Sequence, residues 1–418
     1  MVKKNYDDFL RRVGLSESRL SGETYRFKRV FREKEYDWEG DWEGRALLAF
    51  VCLKRLTGRE NPTLRYELSH LKEHTNKYGY FGKVADGETI SEQQLSGNGW
   101  YLRGLCEYYE DTGDRAILTL IKSVVENLYL KNEELYRRYP EGERAEVGGV
   151  SGNATSEENG WKLSSDVGCS FIALDGLTAA YKILRYERLK DFISERIEQF
   201  MRLDKLKCKM QTHATLTVCR AILRMYLVLS EKKYLDFAEK LFDLYINCGM
   251  TLTYENFNWF CREDTWTEPC AVTDSLIVAL YLYRETKKTD YLRLARRIYF
   301  NGFLMGQRQN GGAGPNACVT KTQPYFGMKM YEAEFCCSMR YAEGLYQVSK
   351  FAEQLFNEDD GEKEITRDEV GRYFRGDHLL CIEDGGKLKE LPDISAYSRS
   401  ELEKLRLKVV FGEGEKAL

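Results

Sequence analysis

The chain has 418 residues, 43% of them hydrophobic, and a net charge of −3. Charges of both signs are interspersed, without the basic patch that a nucleic-acid or membrane-surface role needs. No apolar run reaches the roughly 18 residues of a membrane span, and no apolar segment follows Lys3 and Lys4 as a secretory signal would require. The 12 cysteines therefore read as thiols of a cytoplasmic protein rather than as disulfides.

Proline is scarce, at 6 residues, which leaves helix interiors intact. A degenerate helix–turn–helix unit then recurs along the chain. The first copy is GRALLAFVCLKRLTGRENPTLRYELSHL, from Gly44. Clearer ones are GLCEYYEDTGDRAILTLIKSVVENL (104–128), GLTAAYKILRYERLKDFISERIEQF (176–200), AILRMYLVLSEKKYLDFAEKLFDLY (221–245) and VALYLYRETKKTDYLRLARRIYFNG (278–302). Apolar residues recur at three- and four-residue steps in each, as in amphipathic helices. A last helix, MRYAEGLYQVSKFAEQLF (339–356), has no evident partner. About six hairpins result, and stacked hairpins bury their apolar faces only against one another. Their irregular lengths favour a closed α/α ring over a regular solenoid. Cys52, Cys106, Cys169 and Cys219 fall in the apolar pattern and read as core.

Four polar, aromatic inserts separate the hairpins: 78–100, 144–168, 251–270 and 306–337. Long inserts in a compact domain are commonly functional. They carry Trp100, Trp161, Trp259 and Trp266, whose rings suit ligand stacking or packing equally well, and Tyr331 stands on the same footing. GGAGPN (311–316) lacks the strand-to-helix context of a phosphate loop and reads as a turn. His70 and His74 are four apart on a helix, as solvated or capping groups. After the charge run EDDGEKE, HLLCIEDGGKLKEL and KLRLKVVFGEGEKAL alternate like strands around glycine turns. The expected division is a helical domain over 1–356 and a β-rich appendage, a reduced β-sandwich, over 357–418.

Two short stretches suit a metal. Glu268-Pro269-Cys270 places a carboxylate and a thiol two residues apart, and Cys336-Cys337 supplies an adjacent pair. Zinc takes thiolates with nitrogen or oxygen ligands in a tetrahedral shell. Pro269 suits the first position of a helix, which would put Cys270 in a first turn where the dipole favours thiolate.

TWTEPC, RIYFNGFLMGQRQNGG and EFCCSMRYAEGL resemble the bacterial β-L-arabinofuranosidase family (glycoside hydrolase family 127-like, DUF1680). SGNGWYLRGLCEYYEDTGD and QTHATLTVCRAILRMYL are similar to the same family's helical domain, so the resemblance covers roughly residues 25–350. It implies an all-α (α/α)6 toroid with zinc (Zn2+) held by Glu268, Cys270, Cys336 and Cys337. It also implies retaining glycoside hydrolysis with Cys336 as nucleophile and His213 contacting the sugar. Trp100, Trp259, Trp266 and Tyr331 are the further candidates for substrate contact. The family's acid/base glutamate, about sixteen residues before the zinc glutamate, is replaced by Leu252. Glu255 is the nearest carboxylate, with Glu263 and Asp264 as alternatives. The expected partner is a small carbohydrate or glycoside, with no nucleic acid or membrane; a homo-oligomer is left open. Competing readings are a carbohydrate-binding or scaffold protein with a structural zinc, and a zinc transferase or cyclase that activates a substrate thiol.

Overall fold

The computed structural model describes residues 2–32, 35, 37–142, 144, 151–357, 364–382 and 386–412. Most of the charge run after Asn357, and residues 145–150 of the second insert, lie outside the described residues. The helices in chain order are α1 (Val2–Leu20), α2 (Asp41–Thr57), α3 (Pro62–His74), α4 (Glu92–Thr112), α5 (Arg115–Val124), α6 (Glu133–Arg137), α7 (Ala173–Leu184) and α8 (Glu187–Arg202). Then come α9 (Thr212–Leu229), α10 (Lys232–Cys248), α11 (Pro269–Thr286), α12 (Thr289–Ile298), α13 (Cys337–Ser349), α14 (Ala352–Phe356) and α15 (Arg399–Leu402). Among the described residues no helix is long and apolar enough to cross a membrane.

The hairpins of the sequence repeat form as α2–α3, α4–α5, α7–α8, α9–α10 and α11–α12. Their turns follow from local chemistry. Gly58 and Gly113 end α2 and α4 with φ of 70° and 69°, a left-handed conformation that costs glycine little. The Asn61 and Asp114 side chains then cap α3 and α5 by accepting backbone N–H groups. Within each pair the two helices differ. The first buries nearly every residue of its N-terminal half, as α2 does from Asp41 to Leu53 and α11 from Pro269 to Leu280. The second buries one stripe, as α5 does with Ile117, Ile121 and Val124. A helix apolar on all sides belongs in the interior, and an amphipathic one covers it.

The chain forms two compact units. One comprises residues 20–243 and 259–261. Here α2, α4, α7 and α9 pack in succession. Glycines allow the close approach: a Cβ on Gly44 would lie 2.1 Å from the Tyr101 nitrogen, and one on Gly99 would lie 2.6 Å from the Ala173 Cα. Strands β1 (Ile90–Ser91), β2 (Ala154–Glu158) and β3 (Trp161–Ser164) form a small sheet in the order β1-β3-β2. Trp161 is core there, its indole nitrogen donating to the Leu135 carbonyl at 2.9 Å. Cys52, Cys106, Cys169 and Cys219 are buried as expected. His74 stacks on Phe31, and His70 Nδ1 lies 2.8 Å from the Tyr66 carbonyl.

The other unit comprises residues 1–19, 244–258 and 262–418. The helix left without a partner finds one here: Phe9 of α1 packs on Phe356 of α14, at 5.9 Å between ring centroids. Arg12 of α1, 1% exposed, pairs with Asp8 and Asp393. The C-terminal region is β-rich. Its strands are β5 (Ile365–Arg367), β6 (Tyr373–Arg375), β7 (His378–Ile382), β8 (Leu388–Glu390) and β9 (Leu407–Val409). With β4 (Tyr325–Phe326), from the fourth insert, they make an antiparallel sheet in the order β4-β9-β7-β6-β5, with β8 also on β7.

Candidate metal centre and active site

Two helix N-termini present the cysteines. Glu268 is the N-cap of α11, Pro269 its first residue and Cys270 its second. Cys336 is the N-cap of α13 and Cys337 its first residue. The dipoles of both helices favour negative charge at these ends. The Ala333 carbonyl accepts the N–H groups of Cys336, Cys337 and Ser338 at 3.4, 3.0 and 3.4 Å, which folds the pair into one tight turn. Ser338 Oγ donates to Glu332 at 2.8 Å, and Arg19 Nε holds the same carboxylate oxygen at 2.8 Å. Further along the helices, a fully buried Arg340–Asp274 ion pair ties α13 to α11.

The Sγ atoms of Cys270, Cys336 and Cys337 all lie within 4.8 Å of one another, buried, and can hold a metal ion. Cys270 and Cys337 are 3.7 Å apart, Cys336 and Cys337 3.4 Å. A Glu268 carboxylate oxygen lies within 4.8 Å of the Cys270 sulfur, and its buried Oε2 has no hydrogen-bond partner. Contact with the Cys270 thiol, together with burial, pushes Cys336 above the ordinary thiol range, and burial does the same to Cys337. Three thiols in a dry pocket repel further negative charge, and a cation inverts that balance.

Of the three candidate acids, Glu263 and Asp264 are exposed, and Asp264 is taken up by Arg262 at 2.8 Å. Glu255 is 1% exposed. Its Oε1 accepts Asn316 Nδ2 at 2.7 Å and Thr267 Oγ1 at 3.1 Å, and its Oε2 accepts Thr253 Oγ1 at 2.8 Å. Burial pushes its pKa from the ordinary 4.5 to about 7, against the pull of those donors. The loop bearing Glu255 is tied to the α11 arm twice, through Thr267 and through the Glu268 N–H, which donates to Asn256 Oδ1 at 2.7 Å. Sequence reasoning missed Thr253, Thr267, Arg308 and Asn316. Each is an ordinary polar residue, and they come from separate stretches.

The remaining candidates occupy varied settings. His213 is the second residue of α9, buried, with its ring stacked on Trp100 at 5.9 Å. The Arg45 guanidinium lies 4.3 Å from the Trp100 ring centre, so this ring is already engaged by protein. Trp259 is fully buried and donates to the Ser165 carbonyl at 3.2 Å. Trp266 and Tyr331 are half-buried.

No family model and no curated protein matches the sequence. Solved structures do match the fold. An unsaturated glucuronyl hydrolase from Bacillus sp. GL1 superposes with a TM-score of 0.58 at 10% identity, over 84% of this chain and 100% of that one. A β-arabinofuranosidase of glycoside hydrolase family 127 gives 0.53 at 13% identity, over 80% of this chain and 57% of that one. A cellobiose 2-epimerase from Bacillus thermoamylovorans gives 0.50 at 15%, over 81% and 99%. The fold is that of the (α/α)6 toroids, with a small C-terminal β region. The chain spans little more than half the length of the matched arabinofuranosidase.

Proposed function

We propose that this chain is a zinc-dependent retaining glycoside hydrolase acting on β-L-arabinofuranosides or related glycosides. The observation that carries the reading is the spacing of the three sulfurs. A tetrahedral zinc with bonds of about 2.3 Å to thiolates needs sulfur–sulfur edges of about 3.8 Å. The 3.7 and 3.4 Å separations are near that value, and the third pair lies within 4.8 Å. Glu268, with its unpartnered oxygen beside Cys270, is the fourth ligand. The fold shared with glycosidases and a sugar epimerase supports the same class of substrate.

Zinc, when bound, keeps the thiolates ionised near neutral pH and tempers the sulfur as a leaving group. The Cys336 sulfur attacks the anomeric carbon while Glu255 delivers its proton to the departing oxygen. The Glu255 carboxylate then takes a proton from water, whose oxygen displaces Cys336 and releases the sugar. A carboxyl that titrates at about 7 is protonated in part at neutral pH, as a general acid needs to be. His213, Trp266 and Tyr331, with Trp100 and Trp259, are the proposed sugar contacts; Trp100 stacks on the His213 ring.

Purified protein should carry about one zinc per chain by elemental analysis, and the Cys270→Ala and Cys337→Ala variants should lose it. It should hydrolyse a nitrophenyl arabinofuranoside, and chelator should abolish turnover. A pentofuranose-configured epoxide should label Cys336, located by peptide mass spectrometry, with free sugar protecting. Adducts on Cys337 would reverse the two roles, and adducts on the exposed Cys261 would mark nonspecific alkylation. Metal-free protein that folds normally would remove the site assignment altogether. Zinc without hydrolysis of any glycoside in a broad panel would leave a structural zinc in a binding or scaffold protein.

A further inference from the structure

Asn316 stands between two buried charges. Its amide nitrogen donates to Glu255 Oε1 at 2.7 Å and to the Met305 carbonyl at 3.0 Å. Its amide oxygen accepts Arg308 Nη2 at 2.9 Å. Donor on one side and acceptor on the other fix which way the amide points. Its backbone is pinned as well: the Asn316 N–H donates to Thr267 Oγ1 at 2.9 Å, and the Thr267 N–H donates to the Asn316 carbonyl at 2.9 Å.

Arg308 is fully buried, and apart from Asn316 its hydrogen bonds go to main-chain carbonyls. Nε reaches Tyr331 at 2.8 Å, Nη1 reaches Met305 at 2.9 Å, and Nη2 reaches Gly314 and Pro315 at 2.7 and 3.1 Å. Those carbonyls satisfy its donors without cancelling its charge. Burial lowers its pKa to about 10, and the nearby Glu255 and Cys337 act against that fall. The Arg308 charge thus stands in reach of both the carboxyl and the cysteine cluster, and the Asn316 amide is the bonded link to the carboxyl.

We propose that Asn316 is a positioning residue that couples the Arg308 charge to Glu255, holding the carboxyl in one orientation and governing when it releases its proton. The proposal rests on Glu255 as the acid/base of the reading above, but the coupling itself can be measured without turnover. The other groups that face Glu255 are the hydroxyls of Thr253 and Thr267, Tyr245 of α10, which donates to its backbone carbonyl at 3.3 Å, and the Cys318 thiol, whose pKa its charge helps to raise. None of these carries a positive charge; among the described residues Arg308 is a cation near enough to lower the Glu255 pKa.

The test is a pH titration of the zinc-loaded protein followed by infrared absorption of the protonated carboxyl, assigned to Glu255 by its loss in Glu255→Gln. The midpoint should rise by about one pH unit or more in Asn316→Ala, which removes a donor to the carboxylate. It should rise further in Asn316→Asp, which keeps the acceptor for Arg308 but sets a second carboxylate against the first. The alkaline-side limb of kcat/KM, which reports loss of the general acid's proton, should move with it. An unchanged midpoint in Asn316→Asp with native circular dichroism would overturn the proposal, since a merely structural Asn316 would alter stability alone. If the midpoint moves while Glu255→Gln hydrolyses poor and good leaving groups equally well, the coupling stands and the acid/base assignment falls.

Discussion

Two buried carboxylates, one in each compact unit, are solvated by protein in opposite ways. Asp175, on α7, is 1% exposed and faces three guanidinium groups: Arg224 at 2.8 Å, Arg103 at 3.2 Å and Arg220 at 3.6 Å. Despite burial, these charges hold it well below the usual carboxylate range. Glu255 is equally buried, but its direct partners are two hydroxyls and an amide, and its pKa rises to about 7. Direct ion pairing freezes a carboxylate in its charged form and makes it a brace between α4, α7 and α9. Neutral donors with a cation at one remove leave a carboxyl that can exchange its proton near neutrality, which is the condition for acid–base work. Burial alone marks neither role; the charge of the immediate partners separates them.

The largest effect should come from breaking the brace. Asp175→Asn removes the anion that Arg103, Arg220 and Arg224 share, of which Arg103 keeps Glu107, and should cost about 3–5 kcal/mol in denaturant unfolding. A loss below about 1 kcal/mol would mean that the arginines find other partners and that direct ion pairing does not set Asp175 apart from Glu255.

The pH dependence of stability comes next. Asp175 has a depressed pKa, so its contribution is complete above the unfolded value and disappears only on strong acidification. Glu255 has the reverse sign. Below 4.5 both folded and unfolded chains carry its proton; between 4.5 and about 7 the folded chain holds more protons, so stability falls as pH rises through that window. The span of about 2.5 units corresponds to on the order of 3 kcal/mol. Glu255→Gln lacks this loss, so it should gain on the parent protein by that order between pH 4.5 and 8. Parallel stability curves for the two proteins would show that Glu255 does not titrate in this range.

A smaller change sharpens the contrast. Thr253→Val removes the hydroxyl that donates to Glu255 Oε2 and should cost about 1 kcal/mol. It should also raise the Glu255 titration midpoint, because the charged form has lost a donor. A fall in that midpoint would contradict the assignment of Thr253 as donor.

Much of this architecture was legible in the residues. The hairpins announced themselves through helical apolar spacing, with Gly58 and Gly113 at the turns and Asn61 and Asp114 restarting the chain. Pro269 marked the start of α11 and so placed Cys270 in its first turn. The other arm was visible only as an adjacent cysteine pair; that Cys336 ends a turn gathered by the Ala333 carbonyl is a tertiary fact. Helix α1 went unread because its apolar residues do not form one stripe: Phe9 and Val13 are buried, while Tyr6 and Leu10 are about half exposed. The Glu255 clamp was illegible for a different reason. Thr253, Thr267, Arg308 and Asn316 have no shared spacing, and their chemistry appears only once loops distant in sequence are brought together.

The docking of α1 on α14 bears on how the molecule is made. On a ribosome, α1 emerges more than three hundred residues ahead of the Phe356 ring on which Phe9 rests. The unit that holds the cysteine cluster is assembled from stretches 1–19, 244–258 and 262–418, so its interior cannot close while the intervening unit is still being synthesised. Until then Phe9 and Val13 stand in water as a greasy, unsatisfied surface, and closing so long a loop slows the final step. The intervening residues 20–243 face no such wait. The nascent chain should therefore acquire protease resistance in two stages, with the unit that carries the cysteine cluster last and most dependent on chaperones.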